Sequence, residues 1–568
     1  TALTGESHLA QARRVALNYV EAQAFGARGM NAGGGKDSDV TIIGAGPSGA
    51  ITAQVLATAG MSVVCLEQGE YPDYASIRFD EPGFELRKDM GFGFNPNRRR
   101  MPSDYPINVS ESDINPLMWN GVGGGTVIYA GAWNRFQPSN FKVRTLDGVG
   151  ADWPLSYDDL APYYDRVELQ MAVSGVGGDP AYPHFDPPLP PLPLGAIERR
   201  LFKAHERLGW HIWPGTNAIA TVKHAGLNPC VRRGACSAPA CFDGAKASVD
   251  RTHWPLNIKL GVRLVQRARV IRVETNAKGL ATGVTYLDRD TGRTHSQKSR
   301  IVVICANGIG TPRLLLNSAT ARFPAGLANS SGLVGKNLMM HPFTTVTGLF
   351  DEVMDSWQGT AAQRAYSLEF AETGADRGFH RGAKLMLMPT GSPLGAIGAH
   401  PWGAETEWGV DFHRTVYKRF GRSAIWDIIA EDLPFEYNRV TLDPELKDDD
   451  GIPAPKVAYR YDAGMYRLQR FMQEKAMISM REAGAYETMA APPLKETGWH
   501  ILGTARMGED PETSVVDGFG RAHDVPNLFV IDGSVMPTSG AVNPTATVAA
   551  LALRNAEAIV RNRHGQAF

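Results

Sequence analysis

The chain has 568 residues, more than the roughly 250 to 300 at which single hydrophobic cores stop growing, so we expect two closely joined domains. Hydrophobic residues make up 43% and charged residues 21%, as in ordinary globular proteins, which argues against a disordered chain. The formal net charge of -1 provides no overall field that would recruit nucleic acid or an anionic membrane. A small neutral ligand fits this charge balance better.

No run of about 18 apolar residues is present, so no membrane-spanning helix is predicted. The few cysteines of so long a chain do not form a disulfide framework, which makes a cytoplasmic, reducing location the default expectation. Export stays open as an alternative, because the visible chain begins at Thr1 and a removed segment would leave no trace in it.

The first elements lie close to the N-terminus. Residues 1–36 are polar and Ala-rich, and we expect an N-terminal extension without chemistry. The next run, DVTIIGAGPSGAITAQVLATAGMSVVCLEQG, predicts a buried strand, a glycine turn, a helix and a second strand.

The glycine turn has a specific pattern. Gly44, Gly46 and Gly49 form G-x-G-x-x-G, which permits a tight turn, close approach of the backbone to a pyrophosphate, and close packing of helix on strand. Pro47 and Ser48 open the helix, whose free N–H groups and positive dipole end attract phosphate. The pattern therefore predicts a dinucleotide site.

Two further features extend this prediction. Glu67 ends the second strand, where its carboxylate is suited to accept both ribose hydroxyls of an adenosine half. A second glycine cluster, NGVGGGTVIYAG, stands before a β-prone run and is suited to approach a flavin or a second phosphate face with bare backbone. A simple tight turn stays open as the alternative for this cluster, whose candidate cofactor-binding residues are Gly123, Gly124, Gly125 and Thr126.

The remaining elements are less regular. Alternation over residues 261–275 predicts strands, and RIVVICANGIGTPRLLLNSA predicts a buried strand leading through glycines into a helix. Residues 350–490 show no strong period. Near the C-terminus, GWHILGTARMG contains His500. Taken by itself, this residue could be a catalytic base or an ordinary buried histidine.

Taken in order, these segments resemble the glucose-methanol-choline (GMC) flavoprotein oxidoreductases over most of the chain. TIIGAGPSGAITAQVLA with Glu67 is similar to the family's FAD fingerprint, and GVGGGTVIYAG to its second FAD loop. DWPLSYDDLAPYYDRVE resembles the segment that follows, with Ser156 and Asp159 as a predicted capping box. The most specific resemblance lies in GWHILGTARMG and in NLFVIDGSVMPTSGAVNPTATVAALALRNAEAI.

The resemblance implies an α/β (α+β) fold. It consists of a Rossmann-like FAD-binding domain and a substrate domain with an antiparallel β-sheet backed by helices. We expect the FAD-binding domain to be discontinuous, with the substrate domain built from the intervening segments. The expected ranges are 37–70, 112–160, 225–345 and 498–568 for the former, and 71–111, 161–224 and 346–497 for the latter.

The family's catalytic pair maps onto His500 and Asn543, whose spacing is typical of it. Alcohol oxidation removes a hydroxyl proton and transfers hydride from the same carbon to flavin N5. A neutral histidine suits the first task, because its ordinary pKa is about 6.5. Asn543 is expected to orient the same hydroxyl and also to cap the last helix. His341 and His523 are expected to be structural or peripheral.

The resemblance also assigns further cofactor-binding residues. Asp532 and Gly533 are expected near the ribityl and pyrophosphate chain of FAD, and Val270 at the adenine. Pro544 and Thr545 are expected beside the flavin ring. Some relatives attach FAD through a histidine in the second glycine loop, but TVIYAG has none, so non-covalent FAD is expected.

Three cysteines leave a second cofactor open. Cys230, Cys236 and Cys241 resemble, in their spacing, the segment of sugar-dehydrogenase relatives that holds an iron–sulfur cluster, but the pattern is not reproduced residue for residue. A cluster is therefore possible but not favoured over structural thiols. With a cluster, the chain would be a dehydrogenase subunit that passes electrons onward to a cytochrome.

The resemblance is narrower for the substrate. The chain is nearest the branch of bacterial pyranose oxidases, C-glycoside 3-oxidases and glucoside 3-dehydrogenases, which implies oxidation of a secondary sugar hydroxyl, C3 of a glucosyl unit among them. A non-sugar alcohol is the alternative, and oxygen, a quinone or a carrier protein is the expected electron acceptor. Trp402, Trp408 and Trp426 are candidates for stacking on sugar faces, with core packing equally open.

Overall fold

The computed structural model describes residues 37–74, 93–232, 236, 241, 243–354, 359–360, 362–389 and 409–562. The predicted extension 1–36 and two of the candidate tryptophans, Trp402 and Trp408, lie outside the described residues. No helix in the described ranges combines the length and the apolar character needed to cross a membrane.

The described chain contains both strands and helices. The strands are β1 (Ser38–Ile43), β2 (Val63–Leu66), β3 (Asn108–Ser112), β4 (Trp213–Pro214), β5 (Arg263–Val265), β6 (Ala268–Thr275), β7 (Ala281–Asp288), β8 (Arg293–Ile304), β9 (Phe343–Leu349), β10 (Ala365–Ser367), β11 (Ala383–Met388), β12 (Ser423–Ala430), β13 (Arg439–Lys447), β14 (Pro453–Tyr459), β15 (Glu487–Ala490) and β16 (Leu528–Val530). The helices are α1 (Pro47–Thr58), α2 (Pro96–Arg99), α3 (Gly125–Ile128), α4 (Val143–Asp147), α5 (Tyr157–Gln170), α6 (Ala196–Leu208), α7 (Val249–Thr252), α8 (Trp254–Lys259), α9 (Asn307–Asn317), α10 (Phe412–Arg419), α11 (Ala463–Glu482) and α12 (Thr545–Asn562).

The first sheet is the Rossmann-like sheet that the sequence predicts. Its strand order is β5-β2-β1-β8-β7-β6, and β16 also pairs with β8. Strands β5, β2, β1, β8 and β16 run parallel, whereas β6, β7 and β8 form an antiparallel meander. Two of the parallel strands, β2 (VVCL) and β16 (LFV), are apolar and buried along their whole length, as in a sheet covered on both faces.

The glycine-rich segments flank this sheet. The predicted strand, turn, helix and strand correspond to β1, the Gly44–Gly46 turn, α1 and β2. The β-prone reading of TVIY after the second glycine cluster is wrong, because Gly125–Ile128 forms the single turn of α3. Gly124 precedes that turn at φ 51°, a left-handed conformation that ends the extended path and lets the backbone enter a helix.

The second sheet is antiparallel, with order β15-β9-β12-β11-β10-β4. Helix α11 packs on it, with Met465, Leu468, Met472 and Met480 buried in an apolar cluster that also contains Trp426 of β12. The fold class is thus confirmed: a Rossmann-like sheet and an antiparallel sheet backed by helices. A small third sheet joins β13, β14 and β3.

Local signals at helix ends are also confirmed. Ser156 caps α5, and its backbone N–H donates to the Asp159 carboxylate, which completes the predicted capping box. Helix α12 packs against α1 and α5, so the C-terminal helix lies beside the helix that follows the first glycine turn. The Rossmann-like strands fall inside the ranges expected for an FAD-binding domain, but β9 begins at Phe343, inside one of those ranges. The domain division itself stays a prediction.

Candidate active site

The two glycine loops meet at a cavity of about 260 Å³ between the Rossmann-like sheet and the segment around His500. Most of the residues predicted to bind a dinucleotide line this cavity. They are Gly44, Gly46, Pro47, Ser48, Glu67, Gly124, Gly125, Thr126, Val270, Asp532, Gly533, Pro544 and Thr545, and His500 lines it as well.

The glycines of the cradle are required by close backbone contacts. Gly44 has φ +100°, and a Cβ there would lie 2.4 Å from the carbonyl oxygen of Cys305. A Cβ on Gly49 would lie 2.0 Å from the Gly44 carbonyl oxygen, so this glycine lets helix and turn pack, as predicted, without lining the cavity. A Cβ on Gly124 would lie 2.8 Å from the Gly46 Cα, which shows how closely the two loops approach.

The chemistry of the cradle fits a dinucleotide. Gly46 is the N-cap of α1 and supplies no side-chain cap, so the first N–H groups of the helix stay available for a phosphate. Glu67 is buried and accepts hydrogen bonds from the backbone N–H of Ala45 and of Gly69 at 2.8 and 2.9 Å. Each carboxylate oxygen keeps a further lone pair for a ribose hydroxyl. Burial raises the pKa of Glu67, against these hydrogen bonds.

Two predicted cofactor residues, Gly123 and Asp532, contribute to the shape of the site. Gly123, at φ +99°, does not line the cavity, and a Cβ there would lie 2.5 Å from Val127 Cγ2. Asp532 lines the cavity, but its carboxylate accepts from the backbone N–H of Asn307 at 3.1 Å and the hydroxyl of Thr311 at 2.6 Å. The aspartate thereby attaches the N-terminus of α9 to the C-terminal segment.

The sequence did not reveal the charged end of the cavity. Arg269, beside Val270, and Arg313 both line the wall, and both donate to the buried carboxylate of Asp448, at 2.9 and 2.7 Å. Ile452 of the same β13–β14 connection also lines the cavity. The one hint of this charged end in the sequence is the acidic segment KDDDG, which contains Asp448. Such a segment is typical of an ordinary turn.

At the opposite end, His500 lies against a second histidine. His341 Nε2 lies 2.5 Å from the carbonyl oxygen of Gly540, and a carbonyl only accepts, so Nε2 carries the proton. Burial lowers the pKa of His341 to about 4, which leaves the ring neutral and its Nδ1 an acceptor. His500 Nδ1 is 2.8 Å from that atom and must therefore donate. The lone pair of neutral His500 is then on Nε2.

Backbone register brings the two histidines together. Met339 and Leu502 exchange antiparallel backbone hydrogen bonds at 3.0 and 3.1 Å. His341 lies two residues after Met339 and His500 two residues before Leu502, so they are opposite each other in this register. Of the two roles expected for His341, structural or peripheral, its contact with His500 favours the structural one, whereas His523 is remote and contacts Ser514 Oγ at 2.8 Å.

Asn543 completes the group. It does not line the cavity wall, but its Nδ2 lies 3.4 Å from His500 Nε2, and its Oδ1 accepts from the ammonium of Lys384. Burial lowers the pKa of His500 well below its ordinary value, with His341 and Lys384 contributing in the same direction. The site therefore presents a neutral imidazole nitrogen and an amide N–H side by side, the groups needed to accept a proton from a hydroxyl and to hold its oxygen.

The other candidates have separate positions. Trp426 is fully buried, donates through Nε1 to Ser479 Oγ at 3.1 Å, and is a packing residue. Cys230 and Cys241 are partly buried and pack against a small apolar cluster that contains Cys236 and Ile219. Among the residues that the structure describes, no group of three or more His, Cys, Asp or Glu side chains is arranged to hold a metal ion.

Two family models match the chain. Both are described as GMC oxidoreductase, and they cover residues 42–343 and 434–552. Over 542 residues the chain is 40% identical to 2-methyl-1,2-propanediol dehydrogenase of Mycolicibacterium austroafricanum, with 92% of this chain and 95% of the relative covered.

Further relatives agree. The chain is 32% identical to the fructose dehydrogenase large subunit of Gluconobacter japonicus, covering 92% of this chain and 98% of the relative. It is 32% identical to paromamine 6'-oxidase of Streptomyces fradiae, covering 92% and 91%. The solved structure of pyridoxine 4-oxidase from Mesorbium loti superposes with a TM-score of 0.60 over 92% of this chain and 99% of that one, and its 17% identity supports the fold alone.

Sequence, fold and site agree. The narrower resemblance to glycoside 3-oxidases is not supported at this level, because the similar relatives include a diol dehydrogenase and several sugar-related enzymes. The chain belongs to the GMC oxidoreductase family and is an FAD-dependent enzyme that oxidises CH–OH groups.

Proposed function

We propose that the enzyme oxidises a secondary hydroxyl of a sugar or glycoside, C3 of a glucosyl unit among the candidates, to a ketone, with His500 as the base. The observation that carries this proposal is the pairing of His500 Nε2 with Asn543 Nδ2 at 3.4 Å. An alcohol oxygen beside both atoms has an acceptor for its proton and a donor for its lone pair.

The chain's own residues account for one half of the chemistry. When bound without a covalent bond in the cradle described above, FAD would supply the acceptor for the hydride that leaves the carbinol carbon. His500 Nε2 takes the hydroxyl proton as the C–H bond breaks and the carbonyl forms. The Asn543 amide donates to the same oxygen and keeps it aligned. His341 holds His500 in the tautomer whose lone pair is on Nε2.

The names of the relatives support a polyhydroxylated substrate. Fructose and paromamine, named in two of them, are a sugar and an aminoglycoside, and 2-methyl-1,2-propanediol is a small vicinal diol. Because the diol dehydrogenase shares the higher identity, 40% against 32%, oxidation of a small vicinal diol is the second candidate function.

The names of the relatives support two routes for reoxidation of the reduced flavin. Relatives are named both dehydrogenases and oxidases, and one is named a large subunit. A dehydrogenase that passes electrons onward to a cytochrome is therefore kept as the alternative; a cluster at Cys230, Cys236 and Cys241 would require these thiols to rearrange, because as described they are not arranged to hold a metal ion. Iron and sulfide analysis of the purified protein distinguishes it from direct reoxidation by oxygen or a quinone.

The test uses anaerobic bleaching of the flavin absorbance. D-fructose, paromamine, methyl glucosides and 2-methyl-1,2-propanediol are mixed separately with the holoenzyme in a stopped-flow instrument. We expect His500→Ala to keep its FAD and to reduce it about 10² to 10⁴ times more slowly, the usual contribution of a general base. His523→Ala, which removes a remote histidine, is the matched control. A His500→Ala enzyme that is bleached at the wild-type rate would exclude this residue as the base.

A further inference from the structure

Lys384 is a fully buried lysine in β11, on the antiparallel sheet, yet its ammonium reaches the catalytic pair. Its Nζ lies 2.9 Å from Asn134 Oδ1 and 2.6 Å from Gln363 Oε1 and also donates to Asn543 Oδ1. These partners come from segments far apart in sequence. A buried cation at their meeting point fixes their relative positions.

The contacts of Lys384 are not those of a structural ion pair. An ammonium has three N–H donors and no acceptor, and the three side-chain partners are all oxygens of neutral amides. Burial lowers the pKa of Lys384 well below its usual range, while the acidic group that faces it, Asp427, opposes the shift. Desolvating a cation is costly, so its use among neutral amides needs a reason other than stability.

The orientation of the Asn543 amide supplies that reason. An amide can be rotated to exchange its oxygen and nitrogen, and only one orientation is useful beside His500. With Oδ1 held by Lys384, Nδ2 points to the lone pair of His500 Nε2 at 3.4 Å. In the exchanged orientation, Asn543 would place Oδ1 against that lone pair and offer no donor to a substrate oxygen.

We propose that Lys384 is a positioning residue, which fixes the Asn543 amide with its N–H toward His500 Nε2 and the substrate hydroxyl. The inference rests on the proposed function of His500 and Asn543 as the pair that handles the hydroxyl. Lys384 positions the hydroxyl through Asn543 and touches neither the proton nor the hydride; its charge also lowers the pKa of His500, which affects the rate only in acidic buffer.

Two substitutions separate the hydrogen bond from the size of the side chain. Lys384→Met keeps the volume but removes every donor, and we expect the rate constant of flavin reduction to fall about 10²-fold, the effect of a small misplacement at the reacting centre. Lys384→Gln is shorter but retains an N–H donor, so it should lie between Lys384→Met and the wild type. FAD content and melting temperature, measured for both variants, identify a variant that is merely misfolded.

A double-mutant cycle with Asn543→Ala tests whether Lys384 acts through this residue. Once Asn543 is removed, Lys384→Met should lower the rate little further. Lys246 is the matched control, because it is also buried and its Nζ donates to the backbone oxygens of Val127, Tyr129 and Cys236. Any decrease that Lys246→Met causes in the rate constant of flavin reduction should be independent of Asn543. The decreases from Lys246→Met and Asn543→Ala should therefore multiply in the double variant.

The substrates used in these rate measurements are D-fructose and 2-methyl-1,2-propanediol. A crystal structure of the Lys384→Met holoenzyme shows the position of the Asn543 amide without any turnover. Rotation or displacement of the Asn543 amide from His500, with a non-multiplicative rate effect, supports the proposal. An unmoved amide, a wild-type rate, or multiplicative effects of the two substitutions would overturn it. If substrate reduces the FAD of the Asn543→Ala variant at the wild-type rate, the proposed function fails. This result differs from those that overturn only the role of Lys384.

Discussion

His341 Nδ1 lies 2.8 Å from His500 Nδ1, and the two rings are nearly perpendicular, at 87°. The Gly540 carbonyl determines the proton position on His341, and His341 determines it on His500. Which nitrogen of His500 is basic therefore follows from a backbone carbonyl two hydrogen bonds away. A substitution of His341 can therefore change the tautomer of His500 while the His500 side chain itself is kept.

Substitution of His341 should separate proton position from packing. His341→Phe fills the space but loses both hydrogen bonds, so His500 is free to adopt the other tautomer. We expect flavin reduction to slow by about 10²-fold, at the lower end of what a general base contributes. His341→Asn retains an acceptor near the position of Nδ1 and should lose less. Equal rates in His341→Phe and the wild type, at full FAD content, would contradict the tautomer assignment.

The pH dependence of flavin reduction should reflect the buried state of His500. Burial, His341 and Lys384 all lower the pKa of His500 from its ordinary 6.5. A lowered pKa keeps the imidazole neutral, and so basic, as the pH falls through 6.5. The rate constant of reduction should therefore stay level across that pH and decline only in more acidic buffer. Stopped-flow measurement over the stable pH range checks this.

The Lys384→Met variant provides the internal comparison for that profile. Without the neighbouring ammonium, the pKa of His500 should rise, and the acid decline should begin at higher pH than in the wild type. The contrary result is a wild-type profile that declines at the ordinary histidine pKa and is unchanged in Lys384→Met. It would show that neither burial nor Lys384 shifts the pKa of His500.

The sequence predicted what is local and missed what is tertiary. The cradle of Gly44, Gly46 and Gly49 could be recognised because its function depends on spacing along one turn. His341 was missed because its role comes from a pairing between distant segments. Lys384 was missed for a different reason: residues 350–490 show no strong period, so nothing in the sequence AKLMLM indicates that its lysine is buried, although β11 is buried over most of its length. A buried polar partner is not encoded in the strand that carries the lysine.

The contact between the glycine loops predicts that Gly124 is needed for cofactor binding. A Cβ there would lie 2.8 Å from Gly46 Cα, and Gly124 also has a left-handed φ of +51°. Gly124→Ala should therefore push the loops apart and weaken FAD retention. The ratio of flavin to protein absorbance after gel filtration measures this.

Gly60 provides the control for backbone strain alone. It has φ +80° at the far end of α1, and a Cβ there meets nothing within 4 Å. Gly60→Ala should thus carry a conformational cost of its own, about 1 kcal/mol, but retain FAD. If Gly60→Ala and Gly124→Ala lose equal amounts of FAD, strain rather than loop contact explains the loss.

The charged end of the cavity gives a prediction about stability. Asp448 is buried and receives hydrogen bonds from Arg269 and Arg313, which line the cavity wall. Asp448→Ala leaves Arg313 with backbone carbonyl partners alone, whereas Arg269 retains the carboxylate of Asp450. A buried charge left without any partner costs about 3 to 5 kcal/mol, and the retained Asp450 pair reduces this cost, so a measurable drop in melting temperature and weaker FAD retention are expected.

An exposed ion pair offers the contrast. Asp411 and Arg414 lie 2.9 Å apart with side chains 65% and 73% exposed, and such pairs contribute about 0 to 1 kcal/mol. Asp411→Ala should therefore leave both the melting temperature and FAD retention close to wild type. Since the two substitutions remove the same chemical group, a similar melting temperature for both would mean that water reaches the arginines of the Asp448 cluster. In that case the cluster would not rigidify the cavity wall beside Val270.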